Sequence, residues 1–176
     1  MTVFIKYGIM ETKEADNMPS HDISEILVQN DVTMVDTCTI MQPSFIDLMR
    51  SYVKYDCYKK YHISVHCSVI NELLAMKSNS DKNSEIRETA YQRVQLLTKM
   101  KHYGMINFTG EVNEYFFDNQ MLSYMIKNRC NEHIALITQD KNLMGDIILM
   151  NRMSSFTGND VNVYTLNNKG HIITIV

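Results

Sequence analysis

The stretch Ile134-Ala135-Leu136-Ile137-Thr138-Gln139-Asp140 decides the fold, because four uninterrupted apolar residues lead to a carboxylate within three further positions. A continuous apolar run of this length is typical of a strand that is buried on both faces of a parallel sheet. Residues 141–152 then have the pattern of a short helix. The stretch therefore predicts a buried strand whose carboxyl end carries Asp140.

The same alternation of strand and helix extends outward from this stretch. We expect further strands at 32–35, 63–67, 105–108 and 161–166, with helices between them. This order indicates an α/β fold of three layers, α/β/α, whose central sheet is mainly parallel and has about five strands. A turn at 168–170 predicts an extra C-terminal edge strand over 171–176. Residues 1–31 are expected to be an N-terminal extension, and residues 32–176 to be one domain.

The size and charge of the chain restrict its class. With 176 residues, the chain is long enough for one ordinary domain with its own core. Its formal net charge of −3 argues against binding of nucleic acid through bulk positive charge. No apolar run reaches the roughly 18 residues of a membrane-spanning helix, so no membrane association is expected. Because the N-terminus lacks a signal-peptide pattern and the four cysteines form no CxxC pair, we expect a cytoplasmic protein with reduced thiols.

Several common sites are excluded by their missing motifs. The chain has neither GxxxxGK nor GxGxxG, which argues against P-loop and dinucleotide-binding proteins. His62 and His66 would stand roughly 13 Å apart on a strand, too far to share one zinc ion.

Four carboxylates follow successive predicted strands at similar positions: Asp36, Glu72, Asp118 and Asp140. Because the carboxyl ends of parallel strands and the helix starts after them lie at one edge of the sheet, we expect these acids to converge there. Converged carboxylates repel one another unless a cation binds, and Mg²⁺ or Mn²⁺ prefers oxygen ligands. The pattern predicts a metal site that activates water against a phosphodiester. Taken singly, Asp140 could instead cap a helix, and Asp118 could favour a helix N-terminus.

Three stretches resemble the signature blocks of PIN-domain nucleases: Met34-Val35-Asp36-Thr37-Cys38, Ser68-Val69-Ile70-Asn71-Glu72-Leu73, and Ala135-Leu136-Ile137-Thr138-Gln139-Asp140-Lys141-Asn142-Leu143. Asp118 matches the third acid of that family, which opens a helix. The resemblance covers about residues 32–166 and implies a PIN-like nuclease domain. It also implies a metal-dependent endoribonuclease that acts on RNA and leaves a 5′-phosphate and a 3′-hydroxyl.

By the same resemblance, Asp36, Glu72, Asp118 and Asp140 would be metal ligands and Thr138 would orient the site. Asp146 is a candidate fifth acid, with a solvated helix residue as the alternative. The family also contains scaffolds without activity, so the alternative function is an inactive PIN-like module that binds RNA or a partner protein. A second copy of the chain or an inhibitory protein is left open as a partner.

The four acids contribute −4 to a net charge of −3, so the rest of the chain sums to +1. We therefore expect lysines to rim the acidic cleft. The candidates for RNA binding are Lys54, Lys59, Lys60 and Lys141. The first three lie in residues 52–62, where tyrosines alternate with lysines as in surfaces that grip single-stranded RNA. The alternative for this segment is the end of an amphipathic helix with solvated lysines.

Overall fold

The computed structural model describes residues 20–110, 117–153 and 157–175, except for the side chains of residues 117–119. The strands in these residues are β1 (Ser20–His21), β2 (Val32–Val35), β3 (Ile63–His66), β4 (Ile106–Thr109), β5 (Ile134–Ile137), β6 (Asn162–Leu166) and β7 (Ile172–Thr174). The helices are α1 (Ile23–Gln29), α2 (Thr37–Met41), α3 (Ser44–Lys54), α4 (Cys67–Ser78), α5 (Ser84–His102), α6 (Phe117–Asn128) and α7 (Lys141–Arg152), with a 3-10 turn at Cys57–Lys59.

The strands form one sheet in the order β1-β7-β6-β5-β2-β3-β4. The five strands from β6 to β4 are parallel, while β7 is antiparallel to β6 and β1 is antiparallel to β7. This confirms the α/β class and the mainly parallel sheet. The predicted position of the C-terminal strand is wrong, since β7 is not the edge strand of the sheet. Ser20 and His21 pair outside it with Ile173 and Ile172, and two residues are too few to show a strand pattern in a sequence.

The order of the strands places a topological switch point between β2 and β5. The chain runs outward from β2 to β3 and β4, then returns to place β5 beside β2 before continuing to β6. Val35 and Ile137 are direct neighbours in the register of β2 and β5. In open α/β sheets, ligands bind in the crevice at the carboxyl ends of the strands where the order reverses. A ligand site is therefore expected at the carboxyl ends of β2 and β5.

The core is built from the sheet and the apolar faces of the helices around it. All four residues of β5 are fully buried, as the continuous apolar run predicts. Ile23, Ile26 and Leu27 of α1 belong to the same core, so the N-terminal extension packs against the domain from Ser20 onward. Residues 1–19 lie outside the described residues. Among the helices that the structure describes, none is long and apolar enough to cross a membrane.

Candidate active site

Asp36 is buried at the carboxyl end of β2, where it begins α2. One carboxylate oxygen, Oδ1, accepts a hydrogen bond of 2.8 Å from the backbone N–H of Thr39. The other, Oδ2, accepts the hydroxyl proton of Thr138 from the neighbouring strand end. Burial raises the pKa of Asp36 above its ordinary value, although the hydrogen bonds from Thr138 and Thr39 act in the opposite direction. A positive charge nearby would therefore favour its ionised form.

Asp140 stands at the equivalent place beyond β5 and begins α7. Its Oδ1 accepts hydrogen bonds from the backbone N–H groups of Asn142 at 2.8 Å and Leu143 at 3.2 Å. Its own backbone N–H donates to the hydroxyl oxygen of Thr138 at 2.9 Å. The helix-cap role that the sequence allows for Asp140 is thus present in the structure. Thr138 contacts both acids, since its hydroxyl donates to Asp36 and accepts from Asp140.

Glu72 reaches the same region from the second turn of α4. It is partly buried, and its Oε2 accepts a hydrogen bond of 2.5 Å from the hydroxyl of Thr37. Thr37 directly follows Asp36 in the chain, so this hydrogen bond connects α4 to the end of β2. Sequence reasoning assigned no role to Thr37, although its position beside the first acid was a usable signal.

Cys38 lies close enough to Asp36, Asp140 and Glu72 for their charges to act on its thiol. Burial raises the pKa of its thiol to about 11, and the charges of Asp36, Asp140 and Glu72 contribute to the same rise. Three carboxylates from separate elements thus act on one sulfur atom. Three of the four predicted acids thus lie near the carboxyl ends of β2 and β5, where they are connected through Thr37 and Thr138. Cys38 itself was missed as a site residue.

The donor set suits a hard divalent cation in its chemistry, because carboxylate oxygens are the ligands that Mg²⁺ and Mn²⁺ prefer. In the arrangement of the described residues, however, no three His, Cys, Asp or Glu side chains lie close enough to hold one ion. The carboxylates of Asp36, Glu72 and Asp140 instead accept hydrogen bonds from hydroxyl and backbone N–H groups. Metal binding at these residues would replace some of those hydrogen bonds.

Asp118 and Asp146 are the other two acids that the sequence offered for this site. Asp118 lies in the first turn of α6, the helix that follows β4. Its side chain falls outside the described residues. Asp146 is exposed in α7, as expected of a solvated helix residue.

The predicted basic rim is only partly found at this edge. Lys141 is the first residue of α7 and is exposed beside Asp140. Lys54, Lys59 and Lys60 precede β3, which is parallel to β2, so they lie at the amino edge of the sheet. The expectation that these three lysines rim the acids is wrong. Helix α3, which ends at Lys54, carries the chain from the carboxyl edge back to the amino edge.

His66, which the sequence offered only as a rejected zinc ligand, also lies at this edge of the sheet. It is buried at the end of β3, where its Nδ1 accepts a hydrogen bond of 3.2 Å from the backbone N–H of Ser68 and so caps α4. Burial lowers the pKa of its imidazole. Gly110 packs so closely that a Cβ there would stand 2.0 Å from Nε2 of His66. His66 therefore helps to fix the start of the helix that carries Glu72.

No family model matches the chain, and no curated protein matches it either. The resemblance to PIN-domain nucleases thus rests on the motifs of the sequence.

Proposed function

We propose that the chain is a metal-dependent endoribonuclease that hydrolyses phosphodiester bonds of RNA with Mg²⁺ or Mn²⁺. The observation that supports this proposal is a set of hydrogen bonds at the ends of β2 and β5, where Thr138 contacts both Asp36 and Asp140 and Thr37 contacts Glu72. Carboxylates that share a partly buried site repel one another, and a cation is the usual compensation. These acids lie at the carboxyl edge of the sheet beside its switch point, and α/β folds bind ligands there.

In this proposal, Asp36, Glu72, Asp140 and Asp118 would hold the metal, and the carboxylates of Asp36, Glu72 and Asp140 each accept a hydrogen bond from a neighbour. Thr138 orients Asp36, and Thr37 orients Glu72. The cation supplies a water of lowered pKa and offsets charge on the phosphodiester. The products that the resemblance implies are a 5′-phosphate and a 3′-hydroxyl.

The second candidate is an inactive PIN-like module that binds RNA or a partner protein. One observation favours it. The described carboxylates are held by hydroxyl and N–H donors, and no three of the described candidate ligands stand close enough for one ion. A scaffold with this fold would bind neither Mg²⁺ nor Mn²⁺ at these acids.

The two candidates are separated by calorimetry with Mn²⁺ and by incubation of the purified chain with structured and unstructured RNA, in Mn²⁺ or EDTA. The nuclease should bind Mn²⁺ and cleave RNA only when the metal is present. Glu72→Gln should abolish most cleavage, whereas Glu88→Gln, on the exposed surface of α5, should not. An absence of both Mn²⁺ binding and cleavage would reject the nuclease, and RNA binding without cleavage would support the module.

A cytoplasmic location and a protein partner belong to the same proposal. All four cysteines are free thiols in the structure, as expected in a reducing compartment. A second copy of the chain and an inhibitory protein are the two partners that the sequence leaves open. Light scattering of the purified chain tests the first of these.

A further inference from the structure

The two segments that lead into β3 and β4 meet at the amino edge of the sheet. β3 and β4 are parallel neighbours, with Ile63 paired to Ile106, so residues 54–62 and 99–105 end side by side. Tyr52 joins them, because its hydroxyl lies 2.9 Å from the carbonyl of Tyr61 and 2.5 Å from the carbonyl of Met105. We call residues 54–62 and 99–105 the amino-edge patch.

The amino-edge patch is strongly basic in an acidic chain. It contains five of the 17 basic residues and one of the 20 acids, so it sums to +4 while the whole chain sums to −3. Its one acid, Asp56, forms an ion pair of 2.7 Å with Lys59. From a neighbouring element, Asp22 at the start of α1 is close enough for its charge to act on Cys57. The lysines at 54, 60, 99 and 101 are all exposed.

The patch also presents aromatic rings beside its cations. Tyr55 is 52% exposed and Tyr103 is 62% exposed, the two most exposed aromatic side chains among the large hydrophobic residues on the described surface. The ammonium of Lys54 lies 5.4 Å from the ring centre of Tyr55, and that of Lys60 lies 4.9 Å from the ring centre of Tyr61. Proteins that hold single strands combine a positive surface for phosphates with aromatic faces for bases.

We propose that the amino-edge patch binds single-stranded nucleic acid, separately from the candidate active site. The strands between the two edges have four residues, which span roughly 13 Å, so the patch and the acids are distinct surfaces. Charge alone would also fit an acidic protein, but exposed tyrosines beside lysines favour a ligand that has both phosphates and flat bases. The proposal does not depend on the nuclease activity.

The test is fluorescence anisotropy of a labelled 20-nucleotide oligouridine RNA with the full chain, in EDTA and over a series of salt concentrations. The triple variant Lys54→Gln, Lys60→Gln, Lys101→Gln should weaken binding roughly ten-fold or more, and should make the slope of log K against log salt less steep by about 2. The control triple variant Lys82→Gln, Arg152→Gln, Lys169→Gln removes the same charge from exposed positions outside the patch.

Stacking is tested separately with Tyr103→Leu, which should weaken RNA binding about five-fold or more without changing the salt slope. Tyr91→Leu, on the exposed surface of helix α5 but outside the patch, is its control; Tyr103 directly follows that helix. Circular dichroism checks that each variant is folded.

Two results would overturn the proposal. Equal losses in the patch and control variants would show binding through overall charge. Binding of a labelled polyglutamate peptide as tight as that of RNA, with the same loss in the patch variant, would assign the surface to an acidic protein instead.

Discussion

Thr138 donates its hydroxyl proton to Asp36, although 102 positions separate the two residues in the chain. The contact exists because β2 and β5 are neighbours at the switch point of the sheet. The same hydroxyl accepts the backbone N–H of Asp140. One buried side chain thus fixes the relative position of two acids that the proposed mechanism needs.

Replacing Thr138 by Val should therefore damage stability and activity together. Val has a similar shape but removes both hydrogen bonds and leaves a buried carboxylate without its hydroxyl donor. We expect the free energy of unfolding to fall by about 1–3 kcal/mol. Metal-dependent cleavage should also fall, because Asp36 loses the group that orients it. Urea denaturation and a cleavage assay measure the two effects.

Thr33→Val is the matched control for this substitution. Thr33 is buried in β2, and its hydroxyl has no hydrogen-bond partner within the part of the chain that the structure describes. Removing an unpaired buried hydroxyl should leave stability unchanged or raise it by about 1 kcal/mol. A loss of stability in Thr33→Val as large as in Thr138→Val would show that the hydroxyl contacts of Thr138 are not the cause.

In EDTA, Asp36→Asn should raise the free energy of unfolding above that of the native chain, and the size of this gain should depend on pH. Burial raises the folded pKa of Asp36, so folding disfavours its ionised form. Below the unfolded pKa both states are protonated and this cost is absent, whereas above the folded pKa it is present in full. The advantage of the Asn variant over the native chain should therefore be largest at pH 7 and shrink as the pH falls toward the unfolded pKa.

Unfolding in urea at several pH values measures this difference directly. Asp146→Asn, at an exposed position of α7, serves as the control for removing one carboxylate. An advantage of Asp36→Asn that stays constant from pH 7 to pH 4 would contradict the assigned cost of burying this acid. Adding Mn²⁺ should reduce the advantage at pH 7, because the cation favours the ionised carboxylate.

The strands and two of the acids were predictable because their signals are local. The apolar run of β5 ends near Asp140, and that of β2 ends at Asp36, so periodicity alone locates both. The position of Lys54, Lys59 and Lys60 was not predictable in this way. Which edge of the sheet they occupy depends on the direction of α3, and nothing in their own composition records it. Similarly, the sequence does not show that the charges of Glu72 and Asp140 act on Cys38, because these residues belong to α4 and the end of β5.

Arg93 is a positioning residue that no sequence pattern indicated. Its guanidinium is buried beneath the end of α2 and donates to the carbonyls of Ile40 at 2.8 Å and Gln42 at 3.3 Å. Arg93→Lys keeps the charge but cannot make both contacts from one planar group. We expect a loss of about 1–3 kcal/mol in the free energy of unfolding.

The control for this substitution is Arg87→Lys, which lies at an exposed position of the same helix. It should change the free energy of unfolding by less than about 0.5 kcal/mol. Thermal melting of both variants makes the comparison. Equal melting temperatures for Arg93→Lys and the native chain would show that α2 does not need these hydrogen bonds.

The two roles of Asp140, helix cap and metal ligand, can be separated by two substitutions. Asn supplies the same Oδ1 to the N–H groups of Asn142 and Leu143, and Asn and Asp are comparable helix caps. Asp140→Asn should therefore keep its melting temperature without metal, with the lost charge at the helix N-terminus offset by relieved repulsion with Asp36. As a neutral ligand it should weaken Mn²⁺ binding and cleavage ten-fold or more, which corresponds to about 1.4 kcal/mol.

Asp140→Ala removes both roles and should in addition lower the free energy of unfolding by about 1 kcal/mol. Calorimetry with Mn²⁺, a cleavage assay and thermal melting of both variants complete the comparison. If Asp140 acts only as a cap, the Asn variant will match the native chain in all three measurements while the Ala variant loses stability alone. Undiminished metal-dependent cleavage by Asp140→Asn would remove Asp140 from the metal site, and with it the strongest motif behind the nuclease proposal.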